Sequence, residues 1–183
     1  MVGVVKPARL VYNGAMNNYA FIDGQNLRIG TAGSHVPWRV DLYKFRRYLR
    51  EKYNVVKAYY FIGYMDKKYR RLYEAIKRAG FELVFRVCMK DAYSSKKGNV
   101  DTDIVFAMMR DFHEHVGLDK LYLVSGDSDY YKTILYLRNK GKLGKIIFPA
   151  RESASLLYRQ IGAEYFDYLD KPEIRRKIES TNK

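Results

Sequence analysis

The chain has 183 residues, enough for one domain with its own core. Hydrophobic residues make up 48% and charged residues 30%, and no run approaches the roughly 18 apolar residues of a membrane span, so the make-up is that of a globular protein. A single cysteine, Cys88, excludes a disulfide framework and a Cys-rich zinc site, and only His35, His113 and His115 supply imidazole. Lys and Arg number 34 against 20 Asp and Glu, a net charge of +14 that draws the chain toward polyanions, nucleic acid first among them. The 18 tyrosines can stack on unpaired bases, though they are equally ordinary strand and core residues.

Strand-like and helix-like periods alternate along the chain. Tyr19 to Ile22 is a short apolar run that stops at Asp23-Gly24. Leu42, Phe45, Leu49 and Tyr53 follow helical spacing. Val55 to Ile62 is β-branched and aromatic, and Tyr69 to Ala79 predicts a basic amphipathic helix closed by Gly80. Phe81 to Val87 predicts a strand, then Asp91 to Asn99 a polar loop, then Val100 to Val116 a helix. Leu121 to Val124 predicts a strand ending at Ser125-Gly126, followed by a helix from Tyr130. Lys145 to Phe148 is strand-like, Ser153 to Ile161 a short helix, and Tyr165 to Leu169 a last strand. Such alternation implies an α/β fold with a mostly parallel sheet and helices on both faces. Residues 18–170 are read as the single domain, 1–17 as an N-terminal arm and 171–183 as a basic C-terminal tail.

In an open parallel sheet, ligands bind beyond the carboxyl ends of the strands. Two strands end in acids there: Phe21-Ile22-Asp23-Gly24-Gln25-Asn26, and Val124-Ser125-Gly126-Asp127-Ser128-Asp129. Asp101 and Asp103 open the long helix and can reach the same edge. Each has a local reading too. Asp23-Gly24 suits a turn. Asp127 or Ser128 suits a helix cap, and Asp129 favours a helix N-terminus. Asn26 is either a loop residue or an amide that orients a carboxylate or water. Acids gathered on one edge of a basic chain point instead to a hard divalent cation, which takes oxygen ligands and shares phosphate oxygens with a substrate. No Gly-rich phosphate loop and no Ser or Cys nucleophile with a histidine partner stands out. Cys88, at the end of an apolar strand, reads as a core residue, and His113 and His115 as surface residues.

These residues resemble a known family. Tyr-Ala-Phe-Ile-Asp-Gly-Gln-Asn at 19–26 resembles the opening strand and D-x-x-N motif of the NYN domain of LabA-like proteins. Gly98-Asn99-Val100-Asp101-Thr102-Asp103 resembles that family's K-G-x-D segment, with one extra residue, Asn99, in the step. Val124-Ser125-Gly126-Asp127-Ser128-Asp129-Tyr130 resembles its S-G-D-x-D-[FY] segment. Order and spacing agree over about residues 18–170. The resemblance implies a PIN-like nuclease fold and Mg²⁺- or Mn²⁺-dependent ribonuclease activity. It makes Asp23, Asp101, Asp127 and Asp129 the acidic pocket and has Asn26 position the first acid or a water. Asp103 matches a position that is acidic in only some members.

The resulting expectation is a cytoplasmic endoribonuclease that cleaves single-stranded RNA with Mg²⁺ or Mn²⁺. Asp23, Asp101 and Asp127 hold the metal, and Asp129 completes the pocket or orients the attacking water. Arg28, Lys96, Lys97 and Arg151 flank the motifs as phosphate contacts. No membrane partner is expected. Self-association is compatible with such a fold, with no sequence feature that fixes it. The rival readings are an RNA-binding module without turnover and another metal-dependent nuclease or phosphoryl-transfer enzyme. Gln25 stands where a haloacid-type phosphatase would carry its second Asp.

Overall fold

The chain is described by a computed structural model over residues 17–86 and 100–181. Its strands are β1 (Asn17–Asp23), β2 (Val55–Ile62), β3 (Glu82–Phe85), β4 (Leu118–Val124), β5 (Leu143–Phe148) and β6 (Phe166–Tyr168). They form one six-stranded sheet in the order β3-β2-β1-β4-β5-β6, and every neighbouring pair is parallel. Between strands run α1 (Gly24–Ala32), α2 (Leu42–Tyr53), α3 (Arg70–Arg78), α4 (Val100–Glu114) and α5 (Tyr131–Asn139), and α6 (Pro172–Ile178) follows the last strand.

Alternation along the strands divides the core into two layers. Ala20 and Ile22 of β1, Tyr122 and Val124 of β4 and Ile147 of β5 pack under Leu27, Phe45, Leu49, Ile76, Ile174 and Ile178, which come from α1, α2, α3 and α6. Phe21, Leu121, Leu123, Ile146 and Phe148 face the other way, onto Ile104 and Met108 of α4 and Ile134 and Leu137 of α5. Each fully buried Leu, Ile, Val, Phe or Met among them contributes about 1.5–3 kcal/mol through the water it leaves. The expected α/β domain with helices on both faces is therefore the observed fold.

The chain order steps outward from β1 to β3 in one direction and from β4 to β6 in the other, so strand order reverses between β1 and β4. At such a switch point the loops leaving adjacent strands part to opposite faces and open a crevice. Asp23 closes β1, and Asp127 lies three residues beyond the end of β4, so both carboxylates flank that crevice.

Three parts of the chain differ from the sequence reading. Residues 24–32, where the sequence suggests no element beyond a turn at Asp23-Gly24, form α1. Two helix-weakening glycines, Gly24 and Gly30, hide it from a periodicity search, but Asp23 caps it and Leu27 and Thr31 bury it. The expected helix from Ser153 is instead a pair of 3₁₀ turns, Arg151–Ser153 and Leu156–Gln160. Residues 172–178, read as part of a tail, dock as α6. Ile174 and Ile178, four apart on one face, enter the core, while Val40 and Glu179 form an antiparallel bridge.

Candidate active site

Asp23 is 6% exposed and belongs to both β1 and α1. As the N-cap of α1 it accepts the backbone N–H of Asn26 on Oδ1 at 2.9 Å. That leaves Oδ2 facing the crevice side, where the Tyr130 hydroxyl lies 3.1 Å away. Asn26 thus holds the first acid through its backbone, while its side chain makes a second tie. Its Oδ1 accepts the backbone N–H of Gly126 at 2.9 Å, so the amide ties the corner after β1 to the corner after β4.

The second corner is built by short-range capping. Ser125 Oγ accepts the N–H of Asp127 at 3.2 Å, and Asp127 Oδ1 accepts the N–H of Asp129 at 3.1 Å. This starts the 3₁₀ turn Ser128–Tyr130 that leads into α5. The Tyr158 hydroxyl donates to the Asp127 carbonyl from the far side. Gly126 is required by crowding: a Cβ there would stand 1.8 Å from the Ser153 carbonyl oxygen. Gly24 is crowded in the same way, with an added Cβ 2.7 Å from the Phe61 carbonyl oxygen.

Asp101 enters from the first turn of α4. One carboxylate oxygen each from Asp101, Asp127 and Asp129 lie within 4.8 Å of one another, with Asp101 and Asp127 half-buried and Asp129 exposed. Oxygens on opposite sides of a Mg²⁺ ion stand about 4.2 Å apart, so three hard donors at this spacing fit one divalent cation with minor closure. Asp23 is not within that group of three. It stands behind it, linked through Tyr130, whose hydroxyl meets Asp23 on one side and Asp101 Oδ1 on the other. Asp103 is also apart. Two residues along a helix is about 200° of rotation, and its Oδ2 is enclosed with no hydrogen-bond partner among the described residues.

The electrostatics reflect this crowding of acids. Burial raises the Asp23 pKa above its ordinary 3.8, and the charges of Asp101 and Asp127 raise it further, against the hydrogen bonds of Asn26 and Tyr130. Burial, then Asp23 and Asp101, push the Tyr130 phenol far upward, so it stays neutral at any ordinary pH. Tyr60 is pushed up to about 12 by burial and by Asp23, with the charge of Arg28, an exposed residue of α1, acting in the opposite sense. Arg151 lies beyond β5 with its guanidinium over the Tyr168 ring, 5.0 Å from the centroid. Lys96 and Lys97, like Cys88 and the Gly98-Asn99 step, fall outside the described residues.

Sequence reasoning missed two hydroxyls. Tyr130 reads as the first apolar position of a helix, yet it is 0% exposed and its phenol meets two acids. Its place in S-G-D-S-D-Y was the available signal. Tyr158 carries no local signal at all.

A doubly wound parallel sheet with acids gathered at its switch point defines a domain of the PIN-like nuclease class. More narrowly, the chain belongs to the NYN domain family, whose model matches residues 19–167, and domains of that family are typically nucleases. Among solved structures, the fold is shared with a crystal structure of a protein of unknown function from Vibrio parahaemolyticus. That protein is 18% identical, the match covers 87% of this chain and 96% of that one, and the TM-score is 0.72. No curated protein matches the sequence closely enough to count as a relative. Among the described residues, no helix is long and apolar enough to cross a membrane.

Proposed function

We propose that this protein is a metal-dependent endoribonuclease that hydrolyses single-stranded RNA in the cytoplasm. The observation that carries the reading is the convergence of Asp101, Asp127 and Asp129, within 4.8 Å, in a chain of net charge +14. Like charges are held together at a cost, and a basic chain has no need to do so unless a cation or a reacting group is to be met there.

In this reading Asp101 and Asp127 are the main ligands of Mg²⁺ or Mn²⁺. Asp129, the exposed member, completes the set or orients the attacking water. Asp23 adds negative charge from behind. When bound, such an ion stabilises charge developing on the phosphate and makes water a better nucleophile. The chain's own residues do the rest. Asn26 fixes the distance between the two corners, Tyr130 separates and orients Asp23 and Asp101, and Arg28, with Lys96, Lys97 and Arg151, draws in the backbone.

Single-stranded substrate is favoured by the rim on the β2 side. Asp23 is in register with Phe61, and the chain leaving β2 just beyond exposes Tyr64 (42%), Met65 (67%) and Tyr69 (50%) among Lys67, Lys68 and Arg70. Exposed rings between cations suit stacking on unpaired bases. The solitary cysteine fits a reducing compartment.

The test is cleavage of end-labelled single-stranded RNA with Mn²⁺, Mg²⁺ or EDTA, beside a well-folded Asp127→Asn protein. Cleavage that requires metal and falls at least a hundredfold in the variant is expected. Equal cleavage by both proteins would exclude this site. Binding without cleavage by either, across metals and substrates, would favour a binding module without turnover.

A further inference from the structure

We propose that the groove between α2 and α6 is a second nucleic-acid site, a sequence-independent cradle for an RNA phosphate backbone, separate from the acidic crevice. The groove encloses about 630 Å³ and is lined by Lys44, Arg47, Tyr48, Glu51, Lys52, Arg176 and Lys177. Five of its seven lining residues are cations and one is an acid. It shares no residue with the acidic crevice.

Much of the charge is left over: Lys52 is paired, while Arg47, Arg176 and Lys177 keep most of theirs. Glu51 reaches Arg47 only at 3.9 Å, with both side chains more than 60% exposed, a spacing and setting worth little. Lys52 is committed to Asp167 at 2.5 Å, but that buried carboxylate is shared with Lys171 at 2.9 Å. Lys44 Nζ donates to the Glu179 carbonyl at 3.0 Å and Arg176 Nε to the Pro172 carbonyl at 3.1 Å. The two carbonyl contacts hold Lys44 and Arg176 in place without pairing their charge in the same hydrogen bond. A fixed cationic wall loses less rotamer freedom when an anion arrives than a free one does.

The shape favours a polymer of phosphates over other anions. Lys44 and Lys52 are eight positions apart on α2, about 12 Å along the axis, with Arg47 between them. Even with Lys52 tied to Asp167, Lys44 and Arg47 on α2 and Arg176 and Lys177 on α6 spread charge along the groove rather than at a single point, suited to successive phosphates along a strand. A lipid surface would call for exposed apolar side chains to insert, but the one ring in the lining, Tyr48, is 7% exposed. A cationic lining that meets phosphates contacts the part of the strand that carries no sequence information, so binding there should be largely sequence-independent and depend steeply on salt.

The proposal does not rest on catalysis, so its test is binding in EDTA. The probe is a fluorescein-labelled 20-nucleotide poly(U), measured by anisotropy at several salt concentrations. Two variants of equal net charge are compared with the parent chain. One is Arg47→Ala/Arg176→Ala/Lys177→Ala in the groove. The other is Lys77→Ala/Arg78→Ala/Lys140→Ala, exposed cations at the ends of α3 and α5. The groove variant is expected to bind at least tenfold more weakly and to lose about 2 from the salt slope, since each single-strand phosphate contact contributes about 0.7. The control variant should stay within twofold. Equal weakening of both variants would overturn the proposal in favour of diffuse charge, and no weakening of either would overturn it outright. If poly(U) binding is insensitive to the groove while poly-glutamate binding is lost, the surface serves an acidic protein instead. Melting curves confirm folding, and because Asp127 is untouched, failure here leaves the nuclease reading standing.

Discussion

The Tyr130 hydroxyl lies 3.1 Å from Oδ2 of Asp23, a residue 107 positions earlier in the chain, and the contact is buried at the crossing of β1 with the corner after β4. The same hydroxyl meets Asp101. A phenol has one proton, so it donates to one carboxylate at a time and leaves the other to repel its neighbours until a cation arrives. Tyr130→Phe keeps the ring, which is fully buried among Ile104, Ile134 and Phe148, and removes only that mediation. The expected result is a loss of about 1 kcal/mol of stability and a rise of about tenfold in the Mn²⁺ concentration giving half-maximal cleavage, the usual effect of losing a group that orients ligands. An unchanged metal midpoint would assign Tyr130 to packing alone.

Asp23 predicts an unusual pH dependence. Its folded pKa is raised, mainly by burial and then by Asp101 and Asp127. A carboxyl with a raised folded pKa holds its proton more tightly in the folded state, so stability falls as pH rises from the unfolded value of about 3.9 through the folded pKa. Asp23→Asn keeps an N-cap acceptor, because Asn caps as well as Asp, and removes the repulsion. In EDTA at neutral pH the variant should melt a few degrees higher, on the order of 1 kcal/mol. Below about pH 4 the two proteins should converge. Added Mn²⁺ should raise the melting temperature of the parent chain more than that of the variant. A variant that melts lower in EDTA at every pH would mean that the hydrogen bonds to Asp23 outweigh its repulsion.

Much of the site was legible because its signals are local. Strand, Gly and acid adjacent in sequence place Asp23 and Asp127 on one edge, and alternation from Tyr19 to Phe148 gives the parallel sheet. What was not legible depends on contacts across the chain. Asn26 finds Gly126 a hundred positions away, and Tyr130 finds Asp23 across a similar distance. Helix α1 was hidden by two glycines that serve packing and not propensity. Helix α6 was hidden by a run of charges around Ile174 and Ile178, whose four-residue spacing was its one cue.

The tie between Asn26 and Gly126 is a test of geometry apart from charge. Asn26→Ala leaves the N–H of buried Gly126 without its acceptor, a loss of about 1–3 kcal/mol. It also frees the two corners to move relative to each other. Cleavage should fall at least tenfold with all the acids still present, because small misplacements of reacting groups are costly. Asn26→Asp retains an acceptor oxygen and should recover most of the stability. If the alanine variant melts lower but cleaves normally, the amide is structural only.

Asp167, on β6, provides a charge network away from the crevice. It is 5% exposed, and its buried carboxylate would titrate high if left alone. Burial is the largest influence and raises its pKa, but hydrogen bonds from Lys52, Tyr53, Lys171 and the Tyr168 N–H together outweigh it and hold the carboxyl well below the usual range. A depressed folded pKa contributes stability above the unfolded value of about 3.9, and the contribution drains away as pH falls toward the folded pKa. Asp167→Asn should therefore lower stability by about 2 kcal/mol at pH 7, with the lysine heads partly exposed and able to turn to water. The gap should hold to about pH 5 and narrow below pH 4 in denaturant melts. A gap that stays constant down to pH 2 would mean the loss comes from hydrogen-bond geometry and not from charge.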